Sequence, residues 1–207
     1  VPTTLPPDPA TQELALSGTL HAEDFMPPWT QYAPGAAATV DEGSCAYRPG
    51  GAVTHILPGG IQSGPTMQYG DTGAYASSFT VVFPEVAQAQ EYIGVVSTDV
   101  WGTCKAAEYQ QFQHDNGHDD ITVSVTSRTN ETLGQSGFEA YAEFSLADAA
   151  GNVSRIVVTS FYRLERTVIV VTEEYGSLND ADSAGFFDGT FAALTAAYHR
   201  VNAVGAG

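Results

Sequence analysis

The chain has 207 residues, 43% apolar and 11% aromatic, enough for a sizeable core in one domain with an irregular extension. Twenty-four acidic residues against 7 basic ones give a net charge of −17, and Lys105 is the only lysine. Phosphate backbones and anionic membrane surfaces both select for clustered Lys and Arg, so this composition excludes nucleic-acid binding and direct membrane-surface binding.

No apolar run approaches the roughly 20 residues that cross a bilayer, so a membrane is expected only through an anchor outside these residues. Val1 is followed by polar and proline residues rather than a signal-peptide pattern, as in a mature secreted form or an excised ectodomain. Residues 1–12, VPTTLPPDPATQ, hold four prolines and read as a stiff tether ahead of one domain over 13–207. Ten of the eleven prolines lie at or before Pro65, which predicts an irregular first third. Within it, a short helix is expected over Thr19–Phe25 with Thr19 as N-cap, and a short strand over Val53–Leu57. The GGIQSGP run ending at Pro65 reads as a loop.

Phe79–Phe83 is β-branched and aromatic enough for a buried strand, and Pro84 stops it. Val86, Ala89, Ile93, Val96 and Val100 then recur on one helical face, with Gly102 as the expected terminator. Beyond the polar run QQFQHDNGHDD, Ile121–Ser127 and Phe138–Leu146 alternate apolar and polar residues as half-buried strands do. The loop Asp148–Asn152 offers Gly151 for a positive φ, and Val153–Leu164 and Thr167–Tyr175 follow as a hairpin joined through Glu165-Arg166. A closing helix starts near Asn179-Asp180 and repeats Ala184, Phe187, Phe191, Leu194, Tyr198 and Val201 on one face. Gly185 and Gly189, four apart, predict close packing of that helix on the sheet. The order β-α-β-β-β-β-α specifies an α+β domain of two layers: an antiparallel sheet with two amphipathic helices on one face.

Two cysteines 59 positions apart match neither metal-site spacing nor a CxxC redox motif. They are two buried thiols or a disulfide, and in an exported chain a Cys45–Cys104 bridge is the expected state. His114, Asp115, His118 and Asp119 are metal-ligand types, but their run fails the calcium-loop template and reads as an exposed acidic turn. No metal and no other cofactor is expected. A G-x-S-x-G elbow is absent, Gly134-Gln135-Ser136-Gly137 being one residue short, and nothing local gathers His21, His55 and His199 into a triad. Asn130 and Asn152 open short glycosylation patterns of the kind that arise by chance.

Strand alternation places Ile156, Val158, Ser160 and Tyr162 on one face and Arg155, Val157, Thr159, Phe161 and Arg163 on the other. With Arg166 in the turn, three of six arginines fall in one hairpin. They pair with sheet glutamates, or they receive an anionic ligand with Phe161 as its apolar wall. The second alternative makes Arg155, Phe161, Arg163 and Arg166 the candidate ligand-binding residues.

A strand ending in Phe-Pro, an Ala/Gln-rich helix closing in Trp101-Gly102-Thr103-Cys104, and RIVVTSFYRLERTVIVVTEEY before an Ala/Phe-rich helix form a recognisable series. Over Cys45–Val201 it resembles the extracellular sensor domain of mycobacterial serine/threonine protein kinase H and related secreted lipoproteins of actinobacteria. The resemblance implies an exported, non-catalytic ligand-binding or sensor domain of the cell envelope, with a polar cleft for an unidentified small-molecule or envelope ligand. Any kinase would lie outside these residues. Members with two disulfides exist, whereas this chain can form one, and no ligand-contacting residue transfers position by position. A secreted hydrolase of unrecognised type is the alternative.

Overall fold

The structure, a computed structural model, describes residues 8–36, 45, 56–129 and 140–205. It opens with helix α1, Pro9–Ser17, where an extended tether was expected over residues 9–12. The cause is local: Asp8 caps the helix by accepting from the Thr11 backbone N–H (3.1 Å) and hydroxyl (2.7 Å), and Pro9 occupies the first turn. Residues 1–7 of the expected tether lie outside the described residues. The helix anticipated over Thr19–Phe25 shrinks to a single 3₁₀ turn, Ala22–Asp24, and Thr19 turns its hydroxyl back to the Leu16 carbonyl instead of capping.

The first third holds more regular structure than its prolines suggest. Strand β1 spans Trp29–Ala33, β2 Ile61–Ser63 and β3 Thr66–Tyr69, and the prolines sit between these strands rather than inside them. The GGIQSGP run, read as a loop, thus contains β2. Of the strand anticipated over Val53–Leu57, Val53–His55 lie outside the described residues, and Ile56 and Leu57 are not in a strand.

Strand β4, Ala74–Val82, is followed by two helices where one was expected: α2, Val86–Val96, and α3, Asp99–Asp115. Thr98 makes the break. Its hydroxyl donates to the Val95 carbonyl (2.7 Å) that ends α2 and accepts from the Trp101 N–H (3.2 Å) that starts α3. Gly102, the expected terminator, is buried inside α3. The strands β5 Thr122–Thr129, β6 Ala140–Ala147, β7 Val153–Leu164 and β8 Thr167–Tyr175 form the expected meander, and α4, Asp180–Gly205, closes the chain.

These strands make one antiparallel sheet in the order β1-β3-β4-β8-β7-β6-β5, with β2 pairing the second half of β4. The α+β class is as expected, but the helices do not share one face. Val168 and Val170 of β8 pack in one core with α2, α3, Phe144 and Phe161. Ile169 and Val171, their neighbours on the same strand, pack in another with α1 and α4. Successive strand residues point to opposite faces, so the sheet lies between two helical layers. β8 reads VIVV because it is covered on both sides, and the burial of each such residue is worth about 1.5–3 kcal/mol.

Helix α4 is rotated from its expected phase. Its buried line is Phe186, Thr190, Ala193, Leu194, Ala197 and Val201, whereas Phe187 and Phe191 are 37% and 62% exposed. Gly185 and Gly189 set this rotation by letting the helix backbone rest on Tyr69 and the Trp29 indole. The close packing expected of those glycines is therefore present. At its far end Arg200 binds Asp24 through both nitrogens (2.7 and 2.8 Å) and the carbonyls of Ser17 and Thr19, tying α4 to the N-terminal segment.

Candidate functional site

The expected disulfide is present: Cys45 and Cys104 are bonded, with Cα atoms 5.7 Å apart. Cys104 sits in the second turn of α3 rather than at the end of the preceding helix. Glu108, one turn on, accepts from the Cys45 backbone N–H (2.9 Å) and pairs with Lys105 (2.8 Å). These sulfurs and the Glu108 carboxylate lie close together, but oxidised sulfurs offer no thiolate to a metal. An open groove of about 680 Å³ runs along α3 past Val100, Cys104 and Gln111, lined by α3 alone among the described residues.

The arginines do not converge. Arg155 donates to Glu174 at 2.6 Å near one end of β7. Arg163 lies eight residues along an extended strand, roughly 26 Å away at about 3.3 Å per residue. Arg166, in the turn, donates to the Phe83 carbonyl (3.3 Å). Phe161 is 1% exposed and packs against Tyr92 and Trp101 in the core beneath α2 and α3, so it is no wall of an open pocket. The alternation that put Arg155, Phe161 and Arg163 on one face was right. That face is the covered one.

His114 ends α3, which runs further than expected, and lies 3.5 Å from both Asp115 and Asp119 with all three well exposed. His118 belongs to the turn that follows. His21 sits beside Glu23 at the 3₁₀ turn, and His199 is on the exposed side of α4. The described histidines are thus scattered over three regions of the fold and form no triad.

The opposite face of the hairpin carries a different group. On the α4 side, β6 presents Tyr141, Glu143 and Ser145, β7 presents Val158, Ser160 and Tyr162, and β8 presents Glu173 and Tyr175. α1 and α4 cover the β4–β8 half of this face with Ala76, Val82, Ile169 and Val171 beneath them. Over β6 and β7 the face turns polar. Phe187 and Phe191 line the flank of α4 on that side, with Tyr175 in edge contact with Phe187 at 5.3 Å. The flank of α4 and the polar residues of β6 and β7 therefore stand side by side on one face of the sheet.

Glu173 lies where the two meet, beside Thr190 of α4. Burial pushes its carboxyl up to about 7, opposed only partly by a hydrogen bond with the Thr190 hydroxyl of α4. Thr190 also contacts the Phe186 carbonyl at 3.1 Å. A neutral Glu173 can donate to Thr190 while Thr190 donates to Phe186, whereas a carboxylate must take that single hydroxyl proton for itself. Tyr162 is pushed up to about 12 by burial and by Glu173, and Tyr175 is raised by burial and then by Glu143, Glu173 and Tyr141. Glu143, Val158 and Glu173 stand in register across three strands, so the two glutamates share one row. The sequence held a signal for this site: Glu173 and Glu174 are adjacent in a strand, so one had to face away from the arginines.

No family model matches the chain, and no curated protein matches it. Among solved structures, the extracellular domain of PknH from Mycobacterium tuberculosis aligns with a TM-score of 0.40 and 11% identity, over 66% of this chain and 63% of that one. The chain therefore spans less than two thirds of that domain. An uncharacterised protein from Mycobacterium smegmatis aligns with a TM-score of 0.33 and 12% identity, over 84% of this chain and 91% of its own.

Proposed function

We propose that this chain is an extracytoplasmic ligand-binding domain, a sensor-like module of a cell-envelope protein with no catalytic chemistry of its own. Its ligand site is the surface where the α4 flank meets the Tyr141–Glu143 half of the sheet. One observation carries the reading: beside α4 the sheet presents Tyr141, Glu143, Tyr162 and Tyr175 next to the exposed Phe187 and Phe191. Such a mixture of aromatic walls and few oriented polar groups is what small-molecule sites use. The Cys45–Cys104 bridge supports an oxidising compartment. Fragment screening by amide chemical-shift mapping tests the site: shifts should cluster on β6, β7 and the middle of α4. Shifts confined to α3 and the Cys104 groove would move the site to the other layer.

A hydrolase is the second reading, and the Glu143/Glu173 row is what favours it. Two strand spacings put the two backbones roughly 10 Å apart, and one carboxyl is raised while its partner lies across a row, as in acid–base pairs that cleave glycosides. Turnover of nitrophenyl glycosides that is lost in both Glu143→Gln and Glu173→Gln would replace the binding reading with this one.

A further inference from the structure

The turn between α3 and β5 carries a chemistry of its own. Of the chain's five asparagines, Asn116 alone is followed by glycine. A glycine has no side chain to screen its backbone nitrogen, so that nitrogen reaches the preceding side-chain amide more readily than any other residue's does. Residues 114–120 are all exposed, and water meets every group such a reaction needs.

The fold holds this dipeptide back. Asn116 is the C-cap of α3, and Gly117, at φ 81°, is the left-handed residue that ends it. The Gly117 N–H donates to the His114 carbonyl (2.9 Å) and the His118 N–H to the Gln113 carbonyl (2.9 Å), the paired bonds of a Schellman end. Asn116 turns its side chain back to the helix, Nδ2 donating to the Phe112 carbonyl at 2.7 Å. The attacking nitrogen and the amide it would attack are thus each tied to a different carbonyl of α3. Gln110 closes the turn from the side. Its Nε2 donates to the Ile121 carbonyl (2.6 Å) and its Oε1 accepts from the Val123 N–H (2.9 Å), so one side chain joins α3 to the start of β5.

We infer that Asn116 is a modification site, converted by water to aspartate and isoaspartate whenever the last turn of α3 opens. In the opened turn the Gly117 nitrogen loses its proton to hydroxide and bonds to Asn116 Cγ. The Cγ–Nδ2 bond breaks, ammonia leaves with a proton from water, and a cyclic imide remains. Water then adds to one imide carbonyl and the ring C–N bond breaks there. Opening at Cγ gives aspartate, and opening at the backbone carbonyl gives isoaspartate. The change is one-way, and it dismantles the cap that delayed it. A carboxylate cannot donate to the Phe112 carbonyl, and it puts negative charge at the negative end of α3. Isoaspartate also lengthens the backbone, so the Gly117 and His118 N–H groups lose their register with His114 and Gln113.

Incubation of the whole chain at mildly alkaline pH, followed by peptide mapping, tests this. The peptide holding Asn116 should be the first to gain about one dalton, the difference between an amide and a carboxyl group. In the chain unfolded by guanidinium the same site should convert at least about tenfold faster, because local opening no longer limits it. Gln110→Ala, which releases the turn from β5, should speed the reaction in the folded protein, and Asn116→Ser should remove the mass gain. Hydrogen exchange at Gly117 supplies a readout that needs no variant. One opening frees that N–H both for exchange and for attack, so its protection should match the slowing of the reaction within about threefold. No gain at Asn116 in the folded chain, an earlier gain at another asparagine, or equal rates folded and unfolded overturns the inference. So does Gly117 protection unrelated to the slowing, or an unchanged rate in folded Gln110→Ala.

Discussion

The indole nitrogen of Trp29 lies directly against Gly189, where any side-chain carbon on α4 would overlap it. That nitrogen is buried without a hydrogen-bond partner, and the ring stacks on Phe186 at 5.2 Å, so it has little room to retreat. A helical Gly→Ala change ordinarily stabilises by about 1 kcal/mol, while overpacking a core costs about 1–3 kcal/mol. Gly189→Ala should therefore fail to stabilise and should lower stability by up to about 2 kcal/mol in a denaturant titration. A gain in stability would show that α4 does not rest on Trp29.

The Arg200–Asp24 pair holds the two ends of the α4 layer together. Asp24 is only 7% exposed at its side chain and Arg200 28%, so removing the arginine strands a poorly hydrated carboxylate. Arg200→Ala should cost about 3 kcal/mol, near the lower end for a buried pair because the guanidinium is partly solvated. Arg200→Met combined with Asp24→Leu should recover part of it. Equal losses in the single and double variants would mean that packing of the arginine stem, not the stranded charge, sets the cost.

Opening the disulfide removes the cross-link over 59 positions. The chain-entropy relation gives about 4 kcal/mol for such a loop. Cys45→Ser with Cys104→Ser should lower the unfolding free energy by that order. The unmodified chain should run about two daltons below its dithiol mass under denaturing, non-reducing conditions, the two protons a bridge removes. Two alkylatable thiols in exported protein would contradict both.

Glu173 predicts how stability changes with pH. Its folded value, about 7, lies above its ordinary 4.5, so the folded state holds the proton longer. Stability from the neutral acid is complete below the ordinary value, falls between the two values, and is fully lost above the folded one. The span corresponds to on the order of 3 kcal/mol. Glu173→Gln should match the wild type near pH 4.5 and exceed it progressively towards neutrality. A constant difference across that range would show Glu173 to be ordinarily solvated.

Arg155 tests the discarded site. Arg155 and Glu174 are 41% and 40% exposed, and exposed pairs contribute about 0.2–1 kcal/mol. Arg155→Ala should cost less than about 1 kcal/mol and leave ligands on the α4 side unaffected. Loss of ligand binding in this variant would return the site to the arginine face.

The sequence by itself determined the antiparallel meander, the terminal helix and which residues of each strand travel together. Those follow from local periodicity, two residues for a strand and 3.6 for a helix. It paired Cys45 with Cys104 because two cysteines admit one bridge. It did not determine which face of β7 meets which helical layer. Arg155, Phe161 and Arg163 share a face by alternation, but only the packing of α2 and α3, through Tyr92 and Trp101 against Phe161, closes that face. The rotation of α4 was hidden for a related reason. Phe187 and Phe191 are more apolar than Thr190, yet Thr190 is buried with Phe186 because Gly185 and Gly189 let that side of the helix settle on Tyr69 and Trp29. Glu173 and Glu174 are chemically identical neighbours, and nothing in a strand's own pattern distinguishes them. The helix layer that each one meets made one a surface partner of Arg155 and the other a half-buried acid beneath Thr190, because desolvation depends on what lies across the gap.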